Sequence, residues 1–473
     1  MSGPQPNVIV DGTDNADDDD RARPRGGAFS SFRSPGYPLL FTAGLFSFIA
    51  VQMQFLLRGV LAWDLTLREG ALGLTYLMFG LSMLVATPLG GVASDRLSKR
   101  KVLIVSQAAL MGMALFMGTV VLTGVVEFWM LLLSGVVQGV AFGFFGPARV
   151  AISSELVGRE QLGNAISLSL LSMNGTRVFA PALAGVLAGI ALVGIGGAYL
   201  ISGLCSTISF FFLLRLPRQT ARPATDGTIA GSVRRAPANP LAEMVAGVRY
   251  VIARPPLRRL VVTSFFVIMF GFNYIAFYPA LVKGVFGLSD TWVGVISSAS
   301  AVGAVLISLP LAARADSPRA KAAMVVAGVI FGVGVMAVGF SGSFWMAFAV
   351  ICFVGAATTT FQSLSNTLAL AMADDAHQGR VQSLMQLSFA GFGIAALPLG
   401  VVAEWIGLQP TIVIMGAVAA VTTVIYLILE GGPAGLRSMP SPMPPVDGTL
   451  AAADEPSASV SGHDVTRSPA AAR

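Results

Sequence analysis

The chain has 473 residues, 55% of them hydrophobic and 11% charged, with a net charge of +6 and a mean hydropathy of +0.76. Soluble domains are roughly 45–50% apolar and about 25% charged, so this composition excludes a soluble globular protein. The apolar runs are continuous over about 20 residues, which also excludes a transmembrane barrel, whose strands alternate in segments of about ten.

Residues 1–37 read as a disordered cytoplasmic tail. It carries Pro, Gly and Ser, an acidic run from Asp17 to Asp20, and then Arg21, Arg23, Arg25 and Arg33 ahead of the first apolar stretch. The tail is too long and too acidic for a signal-peptide n-region and is expected to stay on the mature protein. Twelve apolar runs follow, at 38–62, 71–92, 102–124, 126–148, 163–188, 194–215, 259–282, 291–313, 321–341, 344–368, 380–402 and 408–429. They predict an all-α polytopic membrane protein with twelve transmembrane helices. An N-terminal six-helix bundle (38–216) and a C-terminal one (259–429) are joined by a cytoplasmic linker (217–258), in which Leu241 to Ala253 reads as an amphipathic helix on the membrane surface. Residues 430–473, rich in Gly, Pro, Ser and Ala, read as a second disordered cytoplasmic tail.

Of the 30 Lys and Arg residues, 26 lie on the side shared by both termini. Arg68 and Lys283 lie on the other side, and Arg58 and Arg177 fall within spans. The positive-inside rule then makes both termini cytoplasmic in a multi-pass membrane protein. The +6 charge is a topology signal and gives no reason to expect a nucleic-acid partner.

The chemistry-bearing residues are few. Cys205 and Cys352 lie in apolar runs, and His377 and His463 lie in a loop and the tail, so no disulfide framework, metal centre or cofactor is expected. No nucleophile and base pair or phosphate-cradling loop is visible, which argues against an enzyme. Arg177 lies about 14 residues into the fifth run, where a cation costs about 2.5 to 3.5 kcal/mol on the insertion scale. Arg58 follows Gln54 by one turn toward the outer end of the first run, where snorkelling to the headgroups is an equal alternative. No Asp, Glu or His lies deep in a span, the nearest carboxylates being Asp64, Glu127 and Glu404. Two embedded cations without an internal counter-ion suggest an anionic cargo, and proton coupling would have to run through Asp64, Glu404 or the cargo itself. Gln54, Gln138, Asn174, Asn273, Tyr274, Tyr278 and Gln362 are further candidates to contact it, although each alone is more often an interhelical hydrogen bond.

The halves repeat weakly. Thr87-Pro88-Leu89-Gly90-Gly91 matches Leu309-Pro310-Leu311-Ala312-Ala313, and Gly163 to Leu168 parallels Gly379 to Leu384. Between spans two and three, Gly91 to Lys101 has the pattern Gly-x-x-x-Asp-Arg-x-x-x-Arg-Lys. This resembles the signature of the major facilitator superfamily. The resemblance implies two six-helix bundles and a cytoplasmic gate held by Asp95, with Gly91 allowing close helix approach and Arg96, Arg100 and Lys101 completing a charge network. The equivalent loop from Ala313 to Lys321 is degenerate. Gly146-Pro147-Ala148-Arg149 leading to Glu155, Ala246 to Tyr250 leading to Arg254-Pro255, and Gly379-Arg380-Val381 resemble the secretion-effector branch, which includes enterobactin exporters and macrolide efflux proteins. In span five, Ala180, Pro181, Ala184 and Gly185 resemble the antiporter motif Gly-Pro-x-x-Gly-Gly, with alanine replacing two of its glycines; simple helix packing is an equal reading.

These features predict a monomeric secondary transporter that works in the lipid bilayer and exports a small amphipathic, siderophore-like anion by alternating access. The rival readings are a multidrug efflux pump for neutral or cationic lipophiles, with Phe and Met as an adaptable lining, and a non-transporting membrane scaffold.

Overall fold

The computed structural model describes residues 30–217, 240–312, 319–374 and 377–435. The acidic run, the first three tail arginines, most of the linker and of the 313–321 loop, and the chain after residue 435 lie outside the described residues. So do the side chains of Asp95, Arg96 and Asn174. Among the described residues there are helices and turns and no strand.

The first segment, up to residue 217, holds α1 (Tyr37–Thr66), α2 (Glu69–Arg96), α3 (Lys99–Leu122), α4 (Phe128–Gly189) and α5 (Gly194–Leu214). The second, from residue 240, holds α6 (Pro240–Ile252), α7 (Pro255–Phe266), α8 (Asp290–Ala312), α9 (Ala320–Gly339), α10 (Phe344–Ala371), α11 (Gln378–Ile406) and α12 (Leu408–Leu429). Ten helices are long and apolar enough to cross a membrane among the described residues, and two shorter apolar helices, Gly175–Gly189 and Gly391–Ile406, fall within the expected fifth and eleventh spans. Inside the first segment α1 packs on α4 and α5, and α3 on α5. Inside the second, α9 packs on α12, and α10 on α8 and α9. The segments meet along α2 with α11 and along α4 with α8.

Backbone contact makes these seams. A Cβ on Gly73 would lie 2.3 Å from the Ala396 carbonyl, and one on Gly185 would lie 2.3 Å from Gly294 Cα. With little hydrophobic force between helices in lipid, such close approach is what dispersion needs. Ala180 and Ala184 are fully buried beside Gly185, which lies in the α4 to α8 seam.

Three features refine the expected spans. The backbone stays helical through the stretch between spans four and five, over all 62 residues of α4. A straight helix of that length would reach about 93 Å, three times the hydrocarbon thickness, yet α4 doubles back. Gly135, Gly139 and Gly143 descend alongside Thr75, Phe79 and Ala86 of α2, whereas Gly185 and Gly189 rise against Gly294 and Thr291 at the start of α8. Both ends of α4 therefore lie at the end of the molecule marked by residues 64–69.

Span seven, in turn, is not one α-helix. After α7 the chain passes through a π turn (Val267–Gly271), a 3-10 turn (Phe272–Ile275) and a second π turn (Ala280–Val285). Gly271 sits where a Cβ would be 2.5 Å from the Phe331 ring, and Pro279 removes a donor just before the second π turn. Finally, Arg149, counted with the loop cations, is buried at 7% exposure against α1.

Candidate functional site

At the 64–69 end the two segments are joined by ions. Leu67, at φ 52°, closes α1 in the left-handed conformation with its N–H donating to the Trp63 carbonyl at 2.7 Å, and this turn delivers Arg68 to α11. Arg68 donates through Nε and Nη2 to the two Glu404 oxygens, both at 3.0 Å, and the Gly70 N–H donates to Glu404 Oε1 at 3.1 Å. The hydrogen bond to Glu404 raises the Arg68 guanidinium above its ordinary value. Lys283 Nζ donates to Asp64 in the first segment and to Asp290 in its own. The two cations alone on this side of the topology thus hold two of the three carboxylates nearest the spans. Their pairing spans 336 and 219 residues of sequence, which no local signal reveals. Among the described residues, these are the ion pairs that cross between the segments.

Deeper, Arg58 is 1% exposed. Its Nη2 donates to Gln138 Oε1, while Nε and Nη1 have no partner. The guanidinium stands 5.6 Å from the Phe79 ring centroid, and a Cβ on Gly135 would lie 3.2 Å from Nη1. Gln138 Nε2 donates in turn to the Val51 carbonyl at 3.4 Å. Gln54, also buried, leaves its Nε2 unpartnered. Phe55, Tyr76 and Phe79 lie beside this group and reach Phe392 of α11, with Phe55 and Tyr76 each at 6.0 Å from its ring centroid. Arg177 is half-buried on the second leg of α4.

The second segment contributes neutral groups. Asn273, fully buried in the broken stretch, donates through Nδ2 to the carbonyls of Met269 at 2.6 Å and Phe392 at 3.0 Å, while its Oδ1 has no partner. Tyr274 and Tyr278 are buried edge to face at 5.5 Å. Gln362 lies apart from them, lining a void of about 10 Å³ with Ser264, Ser365 and Asn366, room for one water. The structure therefore brings Arg58, Gln54 and Gln138 together, and separately Asn273, Tyr274 and Tyr278.

At the opposite end, Lys99 pairs with Glu155 and Arg100 Nη2 donates to the Leu214 carbonyl, tying the start of α3 to α4 and α5, while Lys101 is exposed. The close approach expected of Gly91 falls instead to its neighbour. No described atom lies within 4 Å of a Cβ on Gly91, whereas one on Gly90 would be 2.5 Å from the Gly143 carbonyl.

Solved transporters share this architecture. A bacterial homologue of the human lysosomal transporter Spinster, in an inward-facing, unoccupied conformation, matches with a TM-score of 0.68 at 16% identity over 86% of this chain and 99% of its own. The nucleoside transporter NupG matches at 0.66 and 15% over 83% and 99%. Among curated proteins, the enterobactin exporter EntS of Salmonella choleraesuis is 26% identical over 310 residues, 64% of this chain and 70% of the relative. That of Citrobacter koseri is 25% identical over 423 residues, 88% and 95% of the two chains. The model of the transmembrane secretion effector family matches residues 26–444. With helices throughout, the facilitator fold and a family match over most of its length, the chain belongs to the transmembrane secretion effectors, transporters of the major facilitator superfamily.

Proposed function

We propose that the protein exports a small amphipathic anion, siderophore-like or a related metabolite, from the bacterial cytoplasm by alternating access of its two bundles. The observation that carries this reading is Arg58, a guanidinium 1% exposed with two nitrogens unpartnered and no ion pair among the described residues. An uncompensated buried ion is strongly destabilising, and a bound anion would complete it. Arg177 adds a second cation to the same segment, and Gln54 and Gln138 supply neutral donors. The broken stretch with Asn273, Tyr274 and Tyr278 supplies aromatic and amide groups for the cargo's apolar body. Relatives named as enterobactin exporters support export of a carried small molecule.

With both termini cytoplasmic, the Asp64, Lys283, Arg68 and Glu404 pairs lie at the external face. Release of cargo then requires these pairs to part while the Gly91 to Lys101 loop, with Asp95 as its gate residue, closes the cytoplasmic side.

The test is thermal stabilisation of the detergent-purified protein by anionic chelators, neutral macrolides and lipophilic cations. A ligand at 100 times its Kd adds about 2.7 kcal/mol. Stabilisation by anions alone, lost in Arg58→Gln, is the expected result. A response to cations or neutral compounds alone would replace this reading with the multidrug pump.

A further inference from the structure

Arg58 has a counterpart that the transport site above does not use. Along the contact between α1 and the first leg of α4, each helix sends one arginine into a glycine notch of the other. Arg58 of α1 lies against Gly135 of α4, and Arg149 of α4 lies against Gly44 of α1, where a Cβ would be 2.7 Å from Nη2 and 2.8 Å from Nε. The arrangement is reciprocal in register, since Gly44 precedes Arg58 by fourteen residues and Gly135 precedes Arg149 by fourteen. Fourteen residues span about 21 Å along the seam. Each guanidinium also faces an aromatic ring, Phe79 at 5.6 Å for Arg58 and Phe48 at 4.7 Å for Arg149. Arg149 is 7% exposed and, among the described residues, its Nε has no partner and it makes no ion pair. Between the two lies an apolar strip of Val51, Ala141 and Phe142.

A buried cation without a counter-charge is costly in lipid wherever it occurs, and helix packing alone asks only for the glycines. We infer that Arg149, with Phe48 and the Gly44 notch, is a second anion-binding station, which takes the carboxylate or phenolate group of an amphipathic substrate before Arg58 does. Position gives the order. Arg149 lies toward the start of α1, away from the 64–69 end, and all cross-segment ion pairs among the described residues are at that end. The station therefore belongs to the side from which an exporter loads. The inference rests on the anionic-cargo reading above.

The experiment uses the full-length protein with salicylate, octanoate and naphthoate, each beside its uncharged amide. Thermal stabilisation reports binding, and uptake into inside-out vesicles reports transport. Arg149→Gln and Gly44→Ala, the latter displacing the guanidinium while keeping its charge, should each weaken binding of the carboxylates about ten- to a hundredfold. The amides should be unaffected. In vesicles the loss should appear in KM with kcat little changed, as expected of a loading station, and Arg149→Lys should restore part of it.

Carboxylate affinity and KM unchanged in both variants, with Arg58→Gln still losing them, would overturn the second station and leave the proposed function standing. A lower ligand-free Tm with unchanged carboxylate affinity would overturn it too, making the reciprocal arginines a packing clasp. If no carboxylate stabilises the wild-type protein, the anionic reading falls and this inference with it.

Discussion

The two segments of the chain share one architecture and differ in what they bury. The first keeps guanidiniums inside, Arg58 and Arg149 in glycine notches with no carboxylate paired to either. The second buries its cations with carboxylates beside them, Arg254 at 4% exposure with Asp374 and Lys321 at 7% with Glu430, both near helix ends, and carries Asn273 and two tyrosines along a helix broken by π and 3-10 turns. A fold doubled from one unit need not double its chemistry. Among the described residues, buried arginines without a carboxylate, Arg58 and Arg149, stand in one half, and buried cations with one, Arg254 and Lys321, in the other.

That contrast breaks most sharply at Arg58. Arg58→Met is expected to weaken anion binding by about 1.5 to 3 kcal/mol while raising the Tm of the ligand-free protein, because an apolar side chain of similar length replaces a buried unpaired ion. Anion affinity that survives the substitution would remove the charge from the first segment's role. Next in size is the seam between the segments. Gly73→Val drives a side chain into the Ala396 carbonyl and should cost about 1 to 3 kcal/mol, read as a lower Tm. Gly91→Ala, which meets no described atom, should stay within about 0.5 kcal/mol of wild type in stability.

Smaller than the Gly73→Val effect is that at the Arg68 and Glu404 pair. Glu404→Gln removes a bidentate but exposed partner of Arg68 and is expected to change stability by about 0 to 1 kcal/mol. The difference from wild type should shrink as salt screens the pair. A distance measurement between spin labels on α2 and α11 would register the same loosening as a broader distribution. A small effect is also expected from Tyr274→Phe combined with Tyr278→Phe. A membrane-buried hydrogen bond averages about 0.6 kcal/mol, so anion affinity should move by less than about threefold, and the change should fall on preference among apolar bodies. A large loss of anion binding there would move the charge-reading site into the second segment.

How far the sequence anticipates this follows from the reach of each signal. Hydropathy is local and strong, so the apolar runs and the helix at Pro240–Ile252 were legible. The helical turn-back within α4 was not, because Ser153, Glu155 and Arg159 lower the hydropathy of a stretch that hydrogen-bonds as helix all the same. The break after Phe266 was hidden in an unbroken apolar run, since π and 3-10 turns there answer to the packing of Gly271 on Phe331. Arg58 and Gln138 were both legible as embedded polar groups, and their pairing across 80 residues was not. Arg149 was legible as part of the secretion-effector motif but not as a buried cation, because a hydropathy boundary fell one residue before it. The signal available was the equal spacing of glycine and arginine in two runs, Gly44 to Arg58 and Gly135 to Arg149.

The placement of Lys283 between Asp64 and Asp290 bears on the speed of the cycle. If the segments part at that end, the ammonium leaves Asp64 but keeps Asp290, so no bare cation has to cross the transition between the two conformations. The swing exchanges two partners for one, and the rate of switching becomes adjustable at a position that touches no cargo. Asp290→Asn would leave Lys283 a single carboxylate on the far side, lengthening the dwell in the state closed at that end while leaving ligand affinity in that state as it is.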